Sequence, residues 1–247
     1  MADAVMIVSA IAGFAPAMGL MFYTLRKYTF PSVKKPFFDD RRIFAFFALG
    51  IVLGMVLFAF EEWGGTISTT ETIIALIVGF AVMEESMKLM ILNFPRFQRK
   101  IDTAFYGLSF GLGISATFTF ATVYASAMGI EEPTAVDMAA YMLLGLQFVL
   151  LHGATTTFIG IGVARGEIKP YFSEALLIHI GYNMLMVPFF MYDIFEPPLN
   201  LIGLGAAFAI VVYGYVKIHR LSLPVLIQDA KHLSQRSTQR SKGARGR

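Results

Sequence analysis

The chain has 247 residues, of which 56% are hydrophobic and 15% charged, and its formal net charge is +3. This composition excludes a disordered chain and is not that of an ordinary soluble domain. Cysteine is absent, so disulfide and thiolate chemistry are also excluded.

Seven apolar segments are each close to the length that crosses a bilayer as a helix. In chain order they are Val5–Tyr23, Ile43–Phe60, Thr72–Leu92, Ala104–Ala127, Met138–Ala164, Ala175–Met191 and Leu199–Val216. The sequence therefore predicts an all-α, polytopic membrane protein with seven transmembrane helices.

The charges of the connecting loops alternate along the chain. Apart from Lys88, every lysine and arginine lies on one side of a seven-span arrangement. These basic residues are Arg26, Lys27, Lys34, Lys35, Arg41, Arg42, Arg96, Arg99, Lys100, Arg165, Lys169, Lys217, Arg220, Lys231, Arg236, Arg240, Lys242, Arg245 and Arg247. Because cytoplasmic loops are enriched in lysine and arginine, we expect a multi-pass protein of the cell membrane, with the N-terminus outside and the C-terminus cytoplasmic. Glu61 and Glu62 are then expected in solvent at the outer boundary.

Two regions follow from this pattern: a seven-helix membrane domain over residues 1–217 and a basic cytoplasmic tail over residues 218–247. The start of the tail, HRLSLPVLIQDAKHL, mixes apolar and basic residues and is expected at the membrane surface. The remainder, SQRSTQRSKGARGR, is expected to be disordered. We expect the basic loops and tail to bind anionic lipid, and not nucleic acid.

The third segment carries Glu84, Glu85 and Lys88 inside its apolar run. A charge in hydrocarbon costs at least a few kcal/mol (roughly 2.5 or more), so it normally has a partner or a function. Lys88 is four residues from Glu84 and three from Glu85, so either carboxylate can pair with it on one helix face. A purely structural ion pair between Glu85 and Lys88 is the simplest alternative to a functional site.

Polar residues on two other segments are predicted to lie at a similar depth. Counted from the cytoplasmic helix ends at about 1.5 Å per residue, Glu84 and His179 lie roughly 12 Å deep, and His152 and Asn183 roughly 18 Å. His179 and Asn183 are four residues apart and so share a helix face. A single membrane histidine is more often a hydrogen-bonding group between helices, but the combination indicates a site.

The fourth segment, with the run YGLSFGLG, is rich in glycine and predicts a tightly packed central helix. Gly107 and Gly111 form one pair of small residues spaced for close helix packing, and Gly50 and Gly54 in the second segment form another.

The ordered motifs EESMK (Glu84–Lys88), YGLSFGLG (Tyr106–Gly113), LLHGATTTFIG (Leu150–Gly160) and HIGYN (His179–Asn183) together resemble the PrsW-type intramembrane proteases. They are also similar to the glutamate-type CAAX-prenyl proteases and the Aph subunit of γ-secretase, which share a superfamily with PrsW. The PrsW proteins usually carry a Glu-Asn pair late in the glycine-rich helix, where this chain reads ATFTFATVY without an acid.

The resemblance implies an intramembrane endopeptidase that hydrolyses a membrane protein substrate with an activated water. The expected catalytic residues are Glu84, Glu85, His152, His179 and Asn183, with Lys88 in support. In this hypothesis Glu84 is the general base with help from His152, His179 and Asn183 stabilise the oxyanion, and Glu85 remains an alternative base.

The preferred mechanism needs no cofactor, and the second choice is a zinc ion held by Glu84, His152 and His179. The alternative function is a non-catalytic membrane scaffold similar to the Aph subunit, which predicts a closed and fully paired polar cluster. A proton-coupled transporter ranks third, because no repeat of the kind found in transporters is evident.

Overall fold

The computed structural model describes residues 2–67, 72–129, 134–191 and 199–231, which form α-helices and contain no β-strand. The helices are α1 (Ala2–Leu25), α2 (Asp40–Ile67), α3 (Ile73–Leu92), α4 (Asp102–Met128), α5 (Ala135–Arg165), α6 (Ile168–Phe190) and α7 (Leu199–Lys217). The all-α prediction is confirmed for this part of the chain.

Two helices extend well beyond the apolar runs from which they were predicted. Helix α2 continues past Phe60 to Ile67, and α6 begins at Ile168 rather than at Ala175. The added turns contain charged and aromatic residues, which a helix tolerates where its end leaves the apolar layer. The depths counted from predicted helix ends therefore change, most of all for His179.

Five helices, α1, α2, α4, α5 and α7, are long and apolar enough to cross a membrane. Of the other two, α3 carries three charged residues, Glu84, Glu85 and Lys88, and the apolar run of α6 is interrupted by polar residues that include His179. Large apolar side chains such as Phe22, Phe44 and Tyr213 are exposed on the outer helix faces. A membrane environment accounts for such faces, since soluble monomers rarely expose contiguous apolar surface on this scale.

Helix α4 lies at the centre, as its glycine content predicted. Every residue from Thr103 to Thr119 is buried, with α1, α2 and α5 packed around this stretch. A β-carbon added to Gly50 would collide with the backbone of α4, including the carbonyl of Phe110. Glycine is needed here because the two backbones are in direct contact. Helices α6 and α7 pack on the far side of α5, and α3 packs against α5 and α6.

The basic loops gather at one end of the bundle. The backbone N–H of Arg99, in the loop after α3, donates to the carbonyl of Val163 at the end of α5. Arg165 binds Asp229 at 2.7 Å, and Lys27 contacts His219 at 3.0 Å. The first, third and fifth connections and the chain after α7 therefore meet at this end.

The chain after α7 passes through a π-helical turn, Ile218–Ser222, and stays helical to residue 231. Leu223, Leu226 and Ile227 are buried against the bundle, so this segment is anchored to the protein on one side. Its predicted position at the membrane surface stays a prediction. The part expected to be disordered, residues 232–247, lies outside the described residues.

Candidate active site

The polar run of α3 is turned into the protein. Glu84 is 1% exposed, and Glu85 and Lys88 are both 0% exposed. Lys88 follows Glu84 by four residues and Glu85 by three, so the three side chains lie on one side of α3, where α5 and α6 pack. Burying these groups is favourable only if they are paired, and the neighbouring helices supply the partners.

Glu85 forms the most tightly bonded part of the cluster. Its Oε1 accepts a hydrogen bond from Lys88 Nζ at 2.7 Å and lies 2.6 Å from His179 Nδ1 on α6. With Glu85 ionised, Nδ1–H of His179 is the donor, because an ionised carboxylate only accepts. One oxygen thus joins α3 to α6 and leaves His179 Nε2 free on the other side of the ring.

Lys88 links the same helix to α5. Its Nζ lies 3.0 Å from His152 Nδ1 and donates at 3.4 Å to Thr155 Oγ1. An ammonium group has no acceptor, so His152 Nδ1 must accept, and the ring's proton then sits on Nε2. The contact with Lys88 therefore presents His152 as a neutral imidazole with an Nε2–H donor.

Glu84 lies between the two histidines. Its Oε2 is 3.7 Å from His152 Nδ1 and 3.9 Å from Lys88 Nζ, and its Oε1 is 3.9 Å from His179 Nε2. Glu84 Oε2 is buried without a hydrogen bond to any described residue. An unsatisfied carboxylate oxygen at such a depth is costly to maintain, as is common where a group serves a reaction and not the fold.

A cavity of about 460 Å³ ends on this carboxylate. Glu84, His152, His179 and Asn183 line it, whereas Glu85 and Lys88 do not. Its apolar wall contains Phe58, Ile77, Phe80, Phe148, Met186 and Val187. This difference separates two roles within the cluster: Glu84 faces the space that a substrate can occupy, and Glu85 stands behind it as a partner of Lys88 and His179.

The cavity extends from the cluster to the end of the bundle opposite the basic loops. Gly65, Ser126 and Met191 line it, at the C-terminal ends of α2, α4 and α6. Gly65 and the neighbouring Glu62 are exposed, so the cavity opens to the surroundings on this side. Glu84, although only 1% exposed, therefore lies on the wall of a cavity that is open at this end.

The central helix holds His152 in place through a glycine. A β-carbon on Gly111 would fall on the carbonyl oxygen of His152 and lie 2.7 Å from Thr156 Oγ1. Only glycine lets α4 approach α5 this closely at the height of the cluster. The glycine-rich motif is therefore part of the site's support, although it contributes no polar side chain to it.

The sequence-predicted residues are not equally connected. Glu84, Glu85, Lys88, His152 and His179 are in direct contact, as their common predicted depth required. Asn183 lies on the cavity wall, and no hydrogen bond joins it to the described members of the cluster.

Sequence reasoning missed three residues near the cluster. Glu61, expected in solvent, is half-buried and lines the cavity together with Glu84, so that expectation was wrong. The error follows from ending the second helix at Phe60, which placed Glu61 outside it. Tyr182 and Thr155 follow His179 and His152 by three residues, so helical spacing alone was enough to identify them.

Zinc does not fit this arrangement as it stands. Within the described ranges, no three His, Asp or Glu side chains are grouped as metal ligands. The His152 nitrogen that faces Glu84 accepts from Lys88, and the ammonium charge opposes a cation beside it. A zinc site formed by Glu84, His152 and His179 would require Lys88 to move away.

Comparisons with protein-family models, with curated proteins and with solved structures found no match to this chain. The resemblance to PrsW-type proteases therefore rests on the motifs quoted from the sequence.

Proposed function

We propose that this chain is an intramembrane endopeptidase that hydrolyses a peptide bond of a membrane-associated protein. One observation carries the proposal: a carboxylate and two imidazoles from three helices meet at the inner end of a largely apolar cavity. A general base needs to be within reach of a water molecule and of the substrate carbonyl, and the position of Glu84 on the cavity wall supports that role.

In the proposed reaction Glu84 accepts a proton from a water molecule as that water attacks the carbonyl carbon of the scissile bond. His152, fixed by Lys88, holds the water through its Nε2–H. His179 and Asn183 donate hydrogen bonds to the oxygen that becomes negative. The Nδ1–H of His179 binds Glu85, so His179 can donate from Nε2 only when both ring nitrogens carry protons. Glu85 is then the counter-ion of the positively charged imidazolium.

The membrane arrangement belongs to the same proposal. All seven helices span the bilayer, with the N-terminus outside and the C-terminus in the cytoplasm of a cell-membrane protein. The charge pattern of the loops supports it, and so does the meeting of Lys27, Arg99 and Arg165 at one end of the bundle. The basic end would contact anionic lipid, and the cavity would open towards the outer side.

The primary test is cleavage by the full chain reconstituted in lipid vesicles. The probe is a library of fluorescence-quenched peptides with an apolar membrane-spanning core. Glu84→Ala and His152→Ala should each abolish cleavage while the helical circular dichroism spectrum is retained. Glu62→Ala is the matched control, since Glu62 lines the same cavity but is exposed. Full activity of either site variant would refute the assignment.

A chelator experiment separates the two mechanistic hypotheses. If Glu84 acts directly on water, cleavage by the wild-type protein should persist after prolonged dialysis against a zinc chelator. Loss of activity that zinc restores would favour the metal mechanism and a rearranged Lys88.

A non-catalytic scaffold is the alternative function, and one observation favours it. Glu85, Lys88, His152 and His179 are paired with one another and could serve only to join α3, α5 and α6. The scaffold, however, gives no reason for Glu84 and both histidines to line a cavity.

A further inference from the structure

We infer that Glu61 is a second catalytic acid of the site, forming with Glu84 a carboxyl pair that shares one proton. This inference rests on the proposed function, because it assigns a role within that reaction. Glu61 comes from α2, a helix from which the sequence predicted no site residue.

Geometry brings the two carboxyl groups together. Glu61 and Glu84 line the same cavity, and their carboxyl groups are close enough to share a hydrogen bond when one of them is protonated. The end of α2 is also held close to α3 by a second contact, since Phe80 packs so tightly on Gly64 that a β-carbon there would meet its ring. This contact, one turn beyond Glu61, holds the end of α2 against α3.

A hydrogen bond between two carboxyl groups has a chemical requirement. Ionised carboxylates only accept, so one member of the pair must hold a proton for the bond to exist. Two like charges at hydrogen-bond distance also repel strongly, which favours a pair with a single proton. The Nζ of Lys88 lies 3.9 Å from Glu84 Oε2 but already binds Glu85.

Two further groups point to a ligand in this space. Glu84 Oε2 is buried with no hydrogen-bond partner, and so is the hydroxyl of Tyr182, which lines the same cavity and is 1% exposed. Buried polar atoms are normally satisfied, and a carbonyl oxygen with an attacking water would supply partners for both. The cavity therefore presents a protonated acid, an ionised acid and a free hydroxyl to one substrate group.

The pair can perform both proton transfers of amide hydrolysis. The ionised carboxyl takes a proton from water while the water oxygen bonds to the carbonyl carbon and the C=O π pair moves to oxygen. The protonated carboxyl donates to that oxygen as charge develops. When the C–N bond breaks, its electron pair remains on nitrogen, which takes up the proton first removed from water. The oxygen's proton returns to the pair, leaving a carboxylic acid, an amine and the original single shared proton.

Substitution of Glu61 tests this role in the full reconstituted chain. Glu61→Gln should lower kcat by about 10²- to 10⁴-fold, the usual contribution of general acid–base catalysis. The amide can still hydrogen-bond to Glu84, so the melting temperature should be close to that of the wild type. Glu167→Gln is the control, because Glu167 is an exposed glutamate that does not line the cavity, and it should retain the wild-type rate.

Infrared spectroscopy gives a readout that does not depend on activity. The wild-type protein should show the C=O stretch of a protonated carboxyl, shifted in D₂O, and both Glu61→Gln and Glu84→Gln should lose it. The shared proton is refuted if the wild-type protein lacks the band, or if the band survives in Glu61→Gln. The wild-type spectrum is decisive even if the variant does not fold.

The cleavage rates separate this inference from the proposed function. A wild-type rate for Glu61→Gln, with Glu84→Ala inactive, refutes the second acid but leaves the protease proposal standing. A wild-type protein that cleaves nothing refutes the protease proposal, while the band still reports on the pair.

Discussion

Replacing Lys88 by methionine isolates the energetic contribution of the buried ion network. The ammonium makes two close contacts, at 2.7 Å to Glu85 and 3.0 Å to His152, and a longer one to Thr155. Hydrogen bonds to charged groups contribute about 1.5–3 kcal/mol each, and removing one partner of a buried pair costs about 3–5 kcal/mol. We therefore expect Lys88→Met to lower the free energy of unfolding by about 4 kcal/mol.

The assay is equilibrium unfolding of the purified protein in mixed micelles with increasing denaturing detergent, followed by circular dichroism. Lys217→Met is the matched control, because Lys217 pairs with Glu174 at a partly exposed position and should lose only about 1 kcal/mol or less. The double variant Glu85→Gln/Lys88→Met removes both charges and should be more stable than Lys88→Met alone. The reasoning is refuted if Lys88→Met is no more destabilising than Lys217→Met, or if the double variant is the least stable of the set.

Two further predictions concern the support and the wall of the site. Gly111→Ala should push α5 away from α4, lowering stability by about 1–3 kcal/mol and cleavage by up to about 100-fold, whereas Gly79→Ala, which meets open space, should do neither. Unfolding curves and cleavage rates check both, and equal behaviour of the two alanine variants would contradict the packing argument. Asn183→Ala should reduce kcat by about 10²- to 10³-fold, the effect of losing an oxyanion donor, with no change in melting temperature. An unchanged kcat would remove Asn183 from the oxyanion site.

The helices and the core of the site could be predicted from the sequence because they follow from strong local signals. Long apolar runs identified the described helices α1 to α7, and three ionisable residues in one run identified α3 as a wall of the candidate site. Glu84 is four residues from Lys88 and Glu85 is three, so the sequence predicted that all three share one face of the helix. The predicted depths of His152 and His179 were within about 6 Å of that of Glu84, and their contacts in the structure agree.

What the sequence could not provide is the arrangement of atoms around these residues. Glu84 and Glu85 are equivalent in the motif, and only the structure shows that Glu84 lines the cavity while Glu85 binds Lys88 and His179. The proton position on His152 depends on a lysine that is distant in the sequence.

Glu61 was missed for a different reason. Hydropathy locates the apolar part of a helix but not the polar turns that continue it, so α2 was ended one residue too early to include this carboxyl. For the same reason the start of α6 was predicted at Ala175, whereas the helix begins at Ile168. Helix ends are the part of a helix that a sequence pattern predicts least accurately, and Glu61 lies in the polar turns at the end of α2.

The central claim is that water activated by Glu84 hydrolyses a peptide bond inside the membrane domain, and cleavage in H₂¹⁸O tests it most directly. Reconstituted wild-type protein should convert a membrane-spanning peptide into two fragments, and mass spectrometry should find ¹⁸O in the new C-terminal carboxyl group. Glu84→Gln protein, matched for amount and fold, should produce neither fragment. Intact peptide after incubation with the wild type, or labelled fragments formed equally fast by Glu84→Gln, would contradict the account.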